Sequence, residues 1–95
     1  MTPQCFSYVK VRQAERVLSQ TLAGEAVLLD LDSEQYFGLN SLGTRVWELI
    51  GQLGEVEPIL ETLIAEYDAD PEVIANDLRD LLAQLVRQGL VQADA

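Results

Sequence analysis

The sequence contains no histidine, one cysteine and only six lysines and arginines in 95 residues. Without histidine, the most common general base and the usual partner of a nucleophilic serine or cysteine are both missing. The single Cys5 cannot close an internal disulfide and brings no second thiol to a metal cluster, so we read it as a bystander. No apolar run approaches the roughly 18 residues of a membrane span. The segment MTPQCFSYVK lacks the continuous apolar stretch of a secretory signal. These absences predict a cytoplasmic protein with no membrane partner. Gly51, Gly54 and Gly89 fall at expected helix ends and form no phosphate-binding loop.

What the chain has in quantity is acid. Sixteen Asp and Glu residues give a net charge of −10, and they are unevenly placed. Residues 1–45 carry Lys10, Arg12, Arg16 and Arg45 against Glu15, Glu25, Asp30, Asp32 and Glu34, a net of −1. Residues 46–95 carry only Arg79 and Arg87 against eleven acids, a net of −9. That half repels phosphate backbones and attracts a basic partner. Asp77 and Asp80, three apart on an expected helix, read as a solvated ridge. Asp30 and Asp32 are expected on one outward strand face. With Ser33 and Glu34 they lack the central glycine and distal glutamate of a calcium loop. The sequence therefore predicts no catalytic residue, no metal and no cofactor.

Along the chain, Cys5 to Arg12 is aromatic and β-branched enough for a first strand. Arg16 to Leu22 reads as a short strand or a turn of helix, and Ala23-Gly24-Glu25 as a turn. Val27, Leu29 and Leu31 alternate with Leu28, Asp30 and Asp32, which predicts a half-buried strand. Phe37 and Leu39 resume the alternation after a polar turn. Asn40 or Ser41 then caps a helix whose face is Leu42, Val46, Leu49 and Ile50, with Gly51 as its stop. A second helix is expected over Glu57–Tyr67, with Pro58 near its start and Ile59, Leu60, Leu63, Ile64 and Tyr67 in one stripe. Asp70 caps a third helix, Pro71–Gln88, striped by Ile74, Leu78, Leu81, Leu82 and Leu85 and ended by Gly89, after which Leu90 folds back.

The predicted fold is one α+β domain over residues 1–95. It is winged-helix-like, with an N-terminal three-stranded antiparallel sheet followed by three helices. A DNA-reading winged helix is disfavoured, because Glu72, Asp77 and Asp80 outnumber Arg79 and Arg87 on the third helix. Asp32-Ser33 is similar to the attachment serine of acyl and peptidyl carrier proteins. In those proteins the serine opens a helix and precedes Leu, whereas Glu34-Gln35-Tyr36-Phe37 reads as strand.

Four short patterns recur in a familiar order between Gly24 and Val91: Tyr36-Phe37-x-Leu39-Asn40, Gly43-x-x-x-Trp47, Tyr67-Asp68-x-Asp70 and Leu85-x-x-x-Gly89-Leu90-Val91. Together they resemble the PqqD-like family, small recognition domains of peptide natural-product biosynthesis. The resemblance implies three strands followed by three helices. It also implies a non-catalytic adaptor that binds the leader segment of a ribosomally made precursor by β-strand addition and presents the core segment to maturation enzymes. Within the family the chain looks most like the recognition subunit of lasso-peptide pathways, with the chaperone of pyrroloquinoline quinone biosynthesis as the alternative.

Carried onto this sequence, the receiving strand is Gln35, Tyr36, Phe37, Gly38 and Leu39, with backbone groups of Tyr36, Phe37 and Gly38 pairing with the leader. Gly38 removes a side chain where another backbone approaches. The third helix walls the groove with Val73, Asp77, Asp80, Leu81 and Gln84. Its apolar members hold leader anchors and its acids meet leader lysines or arginines. The implied partners are a basic leader segment and a leader peptidase or other maturation enzyme, and no nucleic acid. Phe37, Leu39 and Trp47 are also expected in the core, and Leu81 is shared between core and lining.

Overall fold

The computed structural model describes residues 8–94. Cys5 and the first part of the expected first strand lie outside these residues. In chain order the elements are β1 (Lys10–Gln13), β2 (Val17–Leu22), β3 (Glu25–Asp30), β4 (Gln35–Gly38), α1 (Ser41–Leu53), α2 (Val56–Glu66), α3 (Pro71–Arg87) and β5 (Val91–Asp94). The class is α+β, with three helices and antiparallel pairing in both sheets.

The three-stranded sheet is β2-β3-β4, with β3 in the centre. Its first hairpin turns on Ala23 and Gly24, both left-handed at φ 53° and 82°, the backbone that a two-residue hairpin requires. The segment that read as strand or helix is thus a full strand. The expected first strand does not join this sheet. Instead β1 pairs with β5, a strand the sequence reading lacked, in the register Val11↔Ala93 and Gln13↔Val91. Val11 and Val91 are both buried, so this second ribbon closes the core beneath the helices.

The alternation in β3 is real, but its inward face is the opposite of the expected one. Ala26, Leu28 and Asp30 are buried, Val27 and Leu29 are half-buried, and Leu31 is exposed. Asp30 was expected outward beside Asp32. It turns inward because its Oδ1 accepts from Arg16 Nε at 3.2 Å and from the backbone N–H of Asp32 at 2.9 Å, and a buried carboxylate is tolerated only when so partnered.

The helices follow their local signals. Asn40 caps α1 by accepting from the Gly43 N–H at 2.8 Å, and Asp70 caps α3 by accepting from the Glu72 N–H at 2.9 Å. The α1 stop moves from Gly51 to Gly54, which is left-handed at φ 72°. Gly51 has a different use. A Cβ there would come within 2.9 Å of the Gln13 Nε2, which donates to the Trp47 carbonyl. At the end of α3, Gly89 is left-handed, and Leu90 returns to donate to the Leu85 carbonyl at 2.9 Å. Leu28, Ile59, Leu63, Leu82 and Leu90 are fully buried in one cluster that includes Trp47. Truncating such a side chain to alanine costs about 2–5 kcal/mol. No helix among the described residues is long and apolar enough to cross a membrane.

Candidate functional site

In the order β2-β3-β4, the fourth strand has a neighbour on one side only among the described residues. Leu39 donates its N–H to the Ala26 carbonyl directly opposite, at 2.8 Å. Opposed residues of an antiparallel pair alternate between exchanging both backbone bonds and exchanging neither. Phe37, opposite Leu28, and Gln35, opposite Asp30, therefore spend their backbone groups on β3. Tyr36 and Gly38, opposite Leu29 and Val27, turn theirs to the open edge.

This corrects one expectation. The backbone of Phe37 is not free for a peptide, and the open donors and acceptors belong to Tyr36 and Gly38. Side chains obey the same alternation. Phe37 and Leu39 are half-buried against the core, whereas the Tyr36 side chain is 71% exposed on the outer face. A Cβ on Gly38 would meet nothing within 4 Å, so the free protein does not require glycine there.

The edge is held in place from behind the turn. Asp30 Oδ1 also accepts from the Ser33 N–H at 3.4 Å, and Glu34, left-handed at φ 61°, donates its N–H to the Asp30 carbonyl at 2.7 Å. Arg16 binds Asp30 through Nε and reaches the Gly89 carbonyl through Nη2 at 2.8 Å. One guanidinium thus ties the turn that launches β4 to the C-terminal end of α3. Burial pushes the Asp30 carboxyl up, but the N–H groups of Asp32 and Ser33 and the Arg16 charge outweigh it, and its pKa lies below the ordinary carboxylate value. Sequence reasoning missed this clamp. The signal available was Asp30-x-Asp32-Ser33, an Asx-turn pattern; nothing local pointed to Arg16.

On α3, Val73, Asp77, Asp80 or the adjacent Leu81, and Gln84 fall at three- and four-residue steps, so they form a continuous stripe beside the buried one. Val73 is 51% exposed, Leu81 packs partly on the core, and Asp77, Asp80 and Gln84 are exposed. The stripe therefore pairs apolar surface with negative charge. Ser33, the carrier-like serine, lies in the β3–β4 turn and not at a helix start. Among the described residues, no group of three His, Cys, Asp or Glu side chains is placed to hold a metal ion.

The family described as coenzyme PQQ synthesis protein D (PqqD) matches residues 25–91, and the chain belongs to that family. A solved structure described as TbiB1 in complex with the TbiA(beta) leader peptide is 34% identical, with a TM-score of 0.82 over 88% of this chain and 98% of that one. Another, described as lasso peptide synthetase B1 complexed with the leader peptide, is 19% identical, with a TM-score of 0.78 over 87% of this chain and 98% of that one. The second likeness is one of fold. No curated protein sequence matches the chain.

Proposed function

We propose that this chain is a non-catalytic adaptor of lasso-peptide biosynthesis, a single winged-helix-like recognition domain that captures the leader segment of a precursor peptide. The leader adds as a strand to β4, exchanging backbone bonds with Tyr36 and Gly38, and its side chains meet Val73, Leu81 and Gln84 on α3. Basic leader residues face Asp77 and Asp80. The core segment that follows the bound leader is then offered to a leader peptidase or another maturation enzyme.

The observation that carries the reading is the open β4 edge, with two outward-turned residues, in a fold closely similar to that of a protein solved with a leader peptide. The chain's PqqD-family match favours, as a second reading, a peptide chaperone in pyrroloquinoline quinone biosynthesis. Both use the same edge and differ in the enzyme that follows.

Titration of the protein with the separate leader and core halves of its precursor tests the adaptor role. The leader half should bind one to one, with a dissociation constant between about 1 nM and 1 μM, or about 8–12 kcal/mol. Equal binding of the core half would remove the reading.

A further inference from the structure

The three-stranded sheet has a second open edge, and its chemistry differs from that of the rest of the surface. In β2, the six residues VLSQTL carry no charge, no proline and no lysine. Soluble proteins usually block such an edge with charge, proline or a bulge. Here five of the six are exposed, including Leu18 at 54% and Leu22 at 60%.

The register identifies which backbone groups are open. Leu31 donates to the Arg16 carbonyl opposite it at 3.0 Å, so by alternation Leu18, Gln20 and Leu22 bond to β3 while Val17, Ser19 and Thr21 turn outward. The Val17 N–H is taken by the Ala14 carbonyl at 3.1 Å. The N–H and C=O of Ser19 and Thr21 and the C=O of Val17 face the edge, and among the described residues no strand lies beyond them.

We propose that this edge pairs with the same edge of a second copy of the chain, antiparallel about a two-fold axis at Ser19. Ser19 then exchanges both backbone bonds with its counterpart, and each Thr21 N–H meets the Val17 carbonyl of the other copy. The reciprocal bond, from the Val17 N–H to the Thr21 carbonyl of the other copy, does not form, because Ala14 already holds that donor. Leu18 and Leu22 of one copy fall on the same face as those of the other, in diagonal positions close enough for contact.

The uncharged edge suits an uncharged strand rather than a basic or acidic one, and a second copy supplies such a strand. The strand itself is neutral, residues 1–45 have a net charge of only −1, and the −9 of residues 46–95 belongs almost wholly to the helical layer. Two sheets therefore meet edge to edge without bringing the acidic ridges together. The strand order becomes β4-β3-β2-β2-β3-β4, which leaves both β4 edges free at opposite ends. The assembly takes two leader strands, one per chain.

Six residues of edge make an interface below the standard size of roughly 1,600 Å², so the association is weak and reversible. Sedimentation equilibrium of the full chain over a wide concentration range should show an average mass that climbs from one copy toward two. Ser19→Lys and Ser19→Glu each place like charges across the axis and should each stay monomeric. Both keep the parent melting temperature and a one-to-one leader stoichiometry. Mixed in equal amounts, they should restore the dimer, because Lys then faces Glu. A parent that stays monomeric throughout overturns the proposal. So does dimerisation of either variant alone, or a charged mixture that does not associate, as expected if β2 instead receives a strand from another protein.

Discussion

Leu39 and Ala26 face each other across the β3–β4 ladder, joined by the Leu39 N–H and the Ala26 carbonyl at 2.8 Å. That bond sets the parity of the whole edge. It makes Phe37 a structural residue and leaves Tyr36 and Gly38 with backbone groups to give. A shift of one residue would reverse both assignments.

Proline substitution separates the two kinds of position. Tyr36→Pro and Gly38→Pro remove outward donors and obstruct an incoming strand without breaking the ladder to β3, so both should fold. Each should weaken leader binding at least tenfold, which is about 1.4 kcal/mol. Phe37→Pro removes a bond to β3 and should lower the melting temperature instead. Circular dichroism and calorimetric titration read the two effects separately.

Charge reversal on α3 should act through ionic strength. Asp77→Lys combined with Asp80→Lys should leave the fold unchanged, since both side chains are exposed. Exposed pairs are each worth about 0–1 kcal/mol and are screened over about 10 Å at 0.1 M salt, so the loss of leader affinity should be largest at low salt. An equal loss at all salt concentrations would mean that the acids do not meet leader charge.

The Asp30 clamp predicts an acid limb in stability. Its pKa is lowered in the folded chain, so its contribution is present above the unfolded value and is lost as pH falls through the folded one. Glu66 behaves the same way, because Arg45 hydrogen-bonds it at 2.9 and 2.6 Å and lowers its pKa. Asp30→Asn should lower stability at neutral pH and flatten the fall that follows as pH drops below the ordinary carboxylate range. Urea melts at several pH values measure this directly.

Ala23 occupies a left-handed backbone at φ 53°, where an ordinary side chain costs roughly 1 kcal/mol. Ala23→Asn should recover much of that cost and raise the melting temperature by about 4–8 °C for a domain of this size. Leader affinity should stay unchanged, since the turn joins β2 to β3 and contributes no backbone group to the open edge of β4.

The sequence made the helices legible because their signals are local. Asn40, Asp70 and Gly89 act within a turn of where they stand. The sheet was less legible because its signals are not. Leu28 and Leu29 are equally apolar, and the face that turns inward, with Ala26 and Leu28, also carries Asp30, whose partner Arg16 lies fourteen residues away. The β1–β5 ribbon joins residues as distant as Arg12 and Gln92, whose side chains bond at 2.6 Å across eighty positions. On α3 the candidate stripe could be read from spacing alone. On β4 the residues could be named, but their edge parity required the register.

Amide hydrogen exchange, read residue by residue with and without the leader half, tests the edge assignment most directly. The amides of Phe37 and Leu39 should be protected in the free protein, because β3 already holds them. Those of Tyr36 and Gly38 should exchange freely until the leader is added and then become protected together. If Tyr36 and Gly38 exchange at the same rate with saturating leader as without it, no strand adds to β4.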